Sequence, residues 1–208
     1  MSTLAAILSV MVTPLEVERM FREAGAFREG HFVLASGKHS SGYLEKFQVL
    51  QWPVRTAALC ADIAQWARSL TPRTVAGPTT GGIILAHEVA RQMELRAVYA
   101  ERIESGRGRE FRRGFELGSA ERVLVVDDIM TTGGSVQETI DAVRNAGALV
   151  VGAAVLVDRS GGSATLDVPL HALWTLDMPT HSPEDCPQCT DGVPLTKPGT
   201  TSAQVVRK

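Results

Sequence analysis

The residues best suited to chemistry lie in one stretch, residues 122–135, which reads RVLVVDDIMTTGGS. Residues 123–126 are continuously apolar and mostly β-branched, as is typical of a central parallel strand covered by helices on both faces. Two adjacent carboxylates, Asp127 and Asp128, come where this predicted strand (123–126) ends. Because open α/β sheets bind ligands in the crevice at the ends of their strands, the acidic pair predicts a ligand site.

A turn rich in threonine and glycine follows the acidic pair and opens a predicted helix. It consists of Thr131, Thr132, Gly133, Gly134 and Ser135. The first N–H groups of a helix have no intrahelical partners and lie at the positive end of its dipole, so they attract anions. Glycine also lets a phosphate approach the backbone closely. Since two carboxylates would repel a bare anion, we expect a ribose 5-phosphate, whose hydroxyl groups can donate to them.

Other phosphate-binding motifs do not fit this stretch. A Walker A loop requires Gly-Lys-Ser/Thr, and a dinucleotide-binding loop requires G-x-G-x-x-G directly after the strand. An ordinary strand-to-helix turn with a capping Asp or Thr explains one acidic residue, but not two followed by TTGGS.

The elements that position these residues alternate along the chain. The chain has 208 residues, 44% hydrophobic content and 19 glycines, which suits one α/β domain with a large core. Apolar periodicity predicts helices at 53–70, 81–93 and 135–145, and strands at 74–76, 97–101, 123–126 and 149–157. Strands separated by helices indicate a mostly parallel sheet flanked by helices. Before this pattern, Thr13, Pro14 and Glu16 form a capping-box signature for an opening helix, and residues 30–44 predict a hairpin.

Charge and composition limit the partners and the location. The formal net charge is −2, so there is no global attraction for nucleic acid or for an anionic membrane. No run reaches the roughly 18 apolar residues of a membrane helix, and the first residues lack the basic start of a secretion signal. We therefore expect a cytoplasmic protein without nucleic-acid or membrane partners. The predicted organisation is an N-terminal extension (1–10), a main domain (11–178) and an irregular tail (179–208).

A second turn could hold another anion. Residues 77–82 read GPTTGG, follow a predicted strand and precede a predicted helix, so their backbone can bind a phosphate by the same logic. Alone, this segment is as well explained by a plain strand-to-helix turn. Together, two such turns suit a ligand with phosphates at both ends.

Residues 122–135 resemble the phosphoribosyl pyrophosphate (PRPP) motif of type I phosphoribosyltransferases. The resemblance extends along most of the chain to the orotate phosphoribosyltransferases, through GHFVLASGKHS at 30–40 and the ordered segments VYAER, FRRGFELG and VLVDRS. It implies an α/β type I phosphoribosyltransferase fold with a small hood and a mobile loop. It also implies Mg²⁺ as cofactor, PRPP and orotate as substrates, orotidine 5′-monophosphate and pyrophosphate as products, and a homodimer.

The resemblance assigns roles to individual residues. Asp127 and Asp128 would hold the ribose hydroxyls, and the Mg²⁺ would be carried by PRPP, with no certain protein ligand. Arg159 would pair with the orotate carboxylate. The complete PRPP-binding set is Asp127, Asp128, Ile129, Met130, Thr131, Thr132, Gly133, Gly134, Ser135, Thr79, Thr80 and Gly81. The orotate-binding set is Thr131, Arg159, Tyr43 and Leu44.

The chain also departs from the family pattern. Many members carry lysines in the hood, in the pyrophosphate loop and in the catalytic loop, where this chain has Ala35, Gly81 and an arginine-rich segment, 102–118. This segment is predicted to be a mobile loop or a hairpin arm, and its arginines are interpreted as substitutes: Arg102, Arg107, Arg109, Arg112 and Arg113. The predicted catalytic set is Asp127, Asp128, Arg102, Arg109 and Arg112. A solvated basic loop is the alternative for the arginines, and transfer to another base or a non-catalytic PRPP sensor are the alternatives for the function.

The tail contains a pair of cysteines at metal-binding spacing. Cys186 and Cys189 form half a zinc site, to which His181 or His171 could add ligands. The chain has 3 cysteines, so a four-cysteine site within one chain is impossible. The favoured interpretation is that Cys186 and Cys189 hold the tail together locally, either as two thiols or as a disulfide. Cys60 is expected in the core.

Overall fold

The structure is a computed structural model that describes residues 11–34, 36–104 and 106–198, together with the backbone of 204–206. The predicted extension at 1–10 and Ala35 lie outside the described residues. The helices of the described part are α1 (Pro14–Glu23), α2 (Phe47–Leu50), α3 (Pro53–Ala67), α4 (Gly81–Met93), α5 (Gly134–Asn145) and α6 (Pro187–Thr190). Its strands are β1 (Phe27–Val33), β2 (His39–Leu44), β3 (Thr74–Pro78), β4 (Arg96–Arg102), β5 (Arg109–Phe111), β6 (Arg122–Met130), β7 (Leu149–Asp158), β8 (Leu170–Thr175), β9 (Thr180–His181), β10 (Leu195–Lys197) and β11 (Gln204–Val206).

The main sheet has the order β5-β4-β3-β6-β7-β8. All neighbouring pairs are parallel except the edge pair β4 and β5, which is antiparallel. The predicted central parallel sheet with flanking helices is therefore confirmed. The edge strand β8 was not predicted, because LHALWT has little alternation to distinguish it from loop.

Side chains of the central strands alternate between two cores. Leu124 and Val126 of β6 pack with α1, α3 and α4, whereas Val123 and Val125 pack with α5 on the other face. All four are fully buried. This three-layer arrangement explains why β6 is apolar at successive positions, and it fixes the end of β6 rigidly in the middle of the sheet.

The opening helix begins as its sequence predicts. The Thr13 hydroxyl accepts a hydrogen bond from the Glu16 N–H, and the Glu16 carboxylate accepts one from the Thr13 N–H at 2.8 Å. This complete capping box satisfies two of the donors that a helix start leaves open.

A second sheet, with the order β11-β10-β1-β2-β9, forms the hood. The predicted hairpin is β1 and β2, which pair antiparallel. The segment from 179 onward was predicted to be irregular, but its described part contains short strands: β10 pairs with β1, and β9 pairs with β2. Its Pro- and Gly-rich composition concealed strands of only two or three residues, which gain their partners from residues far away in sequence.

The arginine-rich segment is a hairpin arm at its start. β4 continues through Arg102, and β5 returns beside it with Arg102 opposite Arg109. In the part of the chain that the structure describes, no helix is long and apolar enough to cross a membrane.

Candidate active site

The acidic pair lies within β6 and not after it, because the strand extends four residues beyond its apolar run to Met130. Asp127 and Asp128 are only 5% and 4% exposed. Asp127 Oδ2 accepts a hydrogen bond from Ser135 Oγ at 2.7 Å, and Asp127 Oδ1 accepts one from the Asp128 N–H at 2.8 Å. The pair is thus held in a fixed orientation by the turn that follows it.

Burial makes the ionised form of these carboxylates unfavourable. It raises the pKa of Asp127 to about 6, with a further contribution from the negative charge of Asp128. Burial also raises the pKa of Asp128, and the nearby Lys46 ammonium partly offsets that rise. Two buried carboxylates with raised pKa values favour a ligand that brings donors or positive charge to them.

Lys46 is a site residue that sequence reasoning missed. Its Nζ lies 3.4 Å from Asp128 Oδ1, and its side chain is 34% exposed. It precedes α2, directly after the hood strand β2, so no motif distinguishes it from a surface lysine. The available signal was its proximity in sequence to Tyr43 and Leu44, two residues already assigned to the site.

The predicted anion turn has the expected geometry. Gly133 adopts a left-handed φ of 81° and forms the N-cap of α5, which begins at Gly134. Glycine adopts this conformation without strain, whereas a residue with a Cβ atom would be strained at position 133. Thr131, Thr132 and Gly134 are exposed. The first N–H groups of α5 are therefore directed to a surface that a phosphate can reach.

The second predicted turn lies directly against the acidic pair. A Cβ atom added to Gly81 would lie 1.7 Å from Asp128 Oδ2, so a side chain cannot be accommodated there in this conformation. Thr79 and Thr80, joined by a cis peptide bond, precede Gly81 between β3 and α4. The two turns predicted to bind opposite ends of one ligand therefore meet the same acidic pair, since Gly81 lies against Asp128 and Ser135 bonds to Asp127.

Arg109 connects the arginine-rich segment to the turn after β3 and to helix α5. It is 6% exposed. Its Nη1 donates to Thr79 Oγ1 at 3.2 Å, and its Nε lies 3.4 Å from Glu138 Oε2 on α5. Burial lowers the pKa of the guanidinium from its usual value, although Arg109 stays charged at neutral pH. Arg109 Nε is buried and faces the Glu138 carboxylate without a hydrogen bond of good geometry.

The other arginines of the segment make their contacts away from the turns at 77–82 and 131–135. Arg112 pairs with Glu104 and Glu110. Arg113 pairs with Glu101 at 2.9 Å. Arg102 and Arg107 are exposed. The structure thus brings Arg109 to the site, and it leaves the predicted catalytic residues Arg102 and Arg112 at the surface.

The predicted base-binding residues divide into two groups. Met130 pairs with Asp158 across β6 and β7, so the next residues, Thr131 and Arg159, lie at neighbouring strand ends. Arg159 Nη2 lies 3.5 Å from the hood residue Ser40, and burial lowers the pKa of the arginine.

The hood contributes the second group. Tyr43 is half-buried, and its hydroxyl donates to Glu45 at 3.2 Å. Leu44 is 8% exposed and belongs to the larger core cluster. The structure therefore corrects the expectation that Leu44 encloses a base, because alternation along β2 directs its side chain into the core.

Comparison with known proteins agrees with this geometry. A family model described as the phosphoribosyl transferase domain matches residues 48–169, which places the chain among the phosphoribosyltransferases. An orotate phosphoribosyltransferase of Caldicellulosiruptor bescii is 46% identical over 87% of this chain and 94% of that protein. One of Desulforamulus reducens is 46% identical over 88% of this chain and 95% of that protein. The chain belongs to the orotate phosphoribosyltransferase family.

A solved structure supports the same assignment. The orotate phosphoribosyltransferase of Aeropyrum pernix superimposes with a TM-score of 0.66 at 30% identity, covering 77% of this chain and 93% of that one. Membership of this family makes the chain a pentosyltransferase. The two alternatives considered from the sequence, another acceptor base and a non-catalytic sensor, are not favoured by these relatives.

Proposed function

We propose that this protein transfers the phosphoribosyl group of PRPP to orotate, giving orotidine 5′-monophosphate and pyrophosphate in pyrimidine nucleotide synthesis. The observation that carries the proposal is the convergence of Gly81 and Asp128. It brings a turn suited to pyrophosphate against Asp128, while the turn suited to a 5-phosphate bonds to the neighbouring Asp127 through Ser135. PRPP has this combination of two phosphate groups on either side of a ribose.

In this proposal, Asp127 and Asp128 accept hydrogen bonds from the ribose 2- and 3-hydroxyls. The backbone of Thr131–Ser135 binds the 5-phosphate at the start of α5. When the bond to pyrophosphate breaks ahead of attack by the base nitrogen, positive charge develops on the ribose. The two carboxylates stabilise that charge, and their fixed hydrogen bonds to Ser135 and to the backbone mean that little reorganisation is needed.

Arg109 is the arginine best placed to bind the pyrophosphate. Its guanidinium is already hydrogen-bonded to Thr79 in the turn proposed for that group. Because an arginine cannot act as a general acid near neutral pH, its role is to stabilise the charge of the leaving group. Arg102 and Arg112 would join the site only if the arm closes over it, which would also exclude water.

Arg159 and Thr131 are proposed to recognise orotate. A planar guanidinium binds a carboxylate through two hydrogen bonds, and burial of Arg159 makes the charge-charge interaction stronger than at the surface. Tyr43 lies on the hood strand β2, and we propose it as a residue that encloses the base.

Mg²⁺ is proposed as the cofactor. The buried carboxylates with raised pKa values are hard oxygen donors, which suits this ion, and Asp127 and Asp128 would hold it through the hydroxyls of bound PRPP. When bound, Mg²⁺ supplies positive charge to the departing pyrophosphate. We also propose a homodimer and a cytoplasmic location, on the family resemblance.

The proposal is tested by measuring pyrophosphate release from PRPP and Mg²⁺ with a panel of orotate, uracil, adenine and hypoxanthine. Release with orotate alone supports the assignment. Release with a different base would mean that Arg159 and the hood recognise that base and not orotate. Absence of release with every base, while PRPP still binds, would overturn the enzymatic role.

A further inference from the structure

Two histidines of the hood and the two cysteines of the tail form a cluster separate from the acidic site. His31 lies on β1 and His39 on β2, while Cys186 and Cys189 flank the first residues of α6. One ligand atom from each of the four lies within 4.8 Å of the other three. His31, His39 and Cys186 are buried, and Cys189 is half-buried. We infer that these four residues form a structural zinc site that fastens the tail to the hood.

The distances fit tetrahedral coordination. Zinc bonds of about 2.3 Å to sulfur and about 2.0 Å to nitrogen place neighbouring ligand atoms about 3.3 to 3.8 Å apart. His31 Nε2 lies 3.1 Å from His39 Nδ1 and 3.3 Å from Cys186 Sγ. Cys189 Sγ lies 3.3 Å from His39 Nδ1 and 3.8 Å from His31 Nε2. The ligand atoms already surround a space of the size that one zinc ion occupies.

The surroundings of His31 direct the correct nitrogen toward the metal. Its other ring nitrogen, Nδ1, lies 2.9 Å from the Val193 carbonyl oxygen, which can only accept a hydrogen bond. Nδ1 therefore carries the hydrogen, and Nε2 presents its lone pair to the cluster. A backbone carbonyl on the outer nitrogen is the usual support of a metal-binding histidine.

The chemistry of the donors selects the metal. Two sulfur and two nitrogen ligands in a tetrahedron are typical of Zn²⁺. On binding, each cysteine thiol releases one proton, so two thiolates and two neutral imidazoles balance the charge of the ion. A neutral, closed set of four ligands suits a buried structural site, and it leaves no open position for catalysis.

The site explains why the tail is ordered against the hood. The tail strands are short, since β9 has 2 residues and β10 has 3. Zinc would join His31 to Cys186, which are 155 positions apart in sequence, and its binding free energy would become folding free energy. The histidines predicted as ligands are not members of the cluster: His171 bonds to Asp62, and His181 lies opposite His39 in the pairing of β2 with β9.

The test is the zinc content of the purified full chain, free of any histidine tag, measured by mass spectrometry after removal of loosely bound metal. We expect about one zinc per chain for the wild type and for the control Cys60→Ala, and less than about one fifth of that for Cys186→Ser and Cys189→Ser. Cys60 is a matched control because it is a buried core cysteine outside the cluster.

Two measurements on the wild type keep the test independent of how well the variants fold. Co²⁺ added to metal-free protein should give the intense visible absorption of a tetrahedral ion together with a thiolate charge-transfer band. Chelation of the metal should lower the melting temperature by about 5 °C or more. Less than one tenth of a zinc per chain after incubation with excess Zn²⁺, an octahedral cobalt spectrum, or a Cys186–Cys189 disulfide that persists in reducing buffer would each overturn the inference.

Discussion

Arg109 Nη1 donates a hydrogen bond to Thr79 Oγ1 at 3.2 Å, joining the arginine-rich arm to the turn after β3. The antiparallel pairing of β4 and β5 places Arg109 beside the end of β4, where its Nη1 also donates to the Ala100 carbonyl oxygen. The arm therefore contributes a residue to the site in the conformation seen here, without any closure.

The first prediction concerns this contact. Arg109→Ala should lower kcat by about 100-fold, because one buried charged donor to the leaving group is lost, whereas the KM for PRPP should change less. Steady-state kinetics with saturating orotate would measure both. Arg113→Ala is the matched control, since Arg113 lies on the same arm but pairs with Glu101 at the surface. Equal effects of the two substitutions would contradict the role of Arg109.

The second prediction concerns the convergence of the two turns. Gly81→Ala should lower kcat/KM for PRPP by at least about 10-fold, because the new methyl group must displace Asp128 or the turn. Gly106→Ala is the control, because a Cβ atom at Gly106 meets no atom within 4 Å. If Gly81→Ala kept the wild-type kinetics, Gly81 could not lie against Asp128 as described.

The third prediction is a dependence of stability on pH. The folded-state pKa of Asp127, about 6, is above its ordinary value, so the fold penalises the ionised form. This penalty is absent at low pH, grows as the pH rises toward 6 and is constant above it. Relative to wild type, Asp127→Asn should gain about 2 kcal/mol in unfolding free energy between pH 4.5 and pH 8.

Denaturant unfolding at several pH values would measure that gain. Asp141→Asn is the control, because Asp141 is an exposed residue of α5 whose carboxylate accepts a hydrogen bond from Gln137. A constant stability difference between Asp127→Asn and wild type across this pH range would mean that the carboxylate is not penalised by burial.

The fourth prediction concerns recognition of the base. Arg159→Ala should raise the KM for orotate by about 10- to 100-fold, because a charge-assisted pair with the carboxylate is lost, while the KM for PRPP stays near that of wild type. Arg144→Ala, which removes a surface ion pair with Asp167, serves as control. A larger effect on PRPP than on orotate would assign Arg159 to the other substrate.

Local sequence signals predicted much of this structure. The capping box of α1, the helix starting at Gly81 and the parallel strands β3, β4, β6 and β7 follow from apolar periodicity and turn chemistry. The acidic pair and the glycine turn were identified because their chemistry is encoded within fourteen consecutive residues. The positive φ of Gly133 is a further reason for glycine there, beyond the close approach of a phosphate that the sequence suggested.

Features that depend on distant contacts could not be predicted in the same way. Lys46 lies near Asp128 because the chain turns back from the hood strand β2 toward the end of β6. Arg109 is distinguished from the neighbouring arginines by its position on β5, opposite Arg102. The assembly of His31 and His39 with the tail cysteines joins segments about 150 residues apart. No window of sequence contains these relations, since tertiary packing creates them.

The most direct test of the central claim is the fall in orotate absorbance when the purified protein is mixed with orotate, PRPP and Mg²⁺. The variant Asp127→Asn/Asp128→Asn, which keeps the size of both side chains but removes their charge, is the control. We predict a fall with the wild type and none with the variant. An unchanged absorbance with wild-type protein that still binds PRPP would contradict the account.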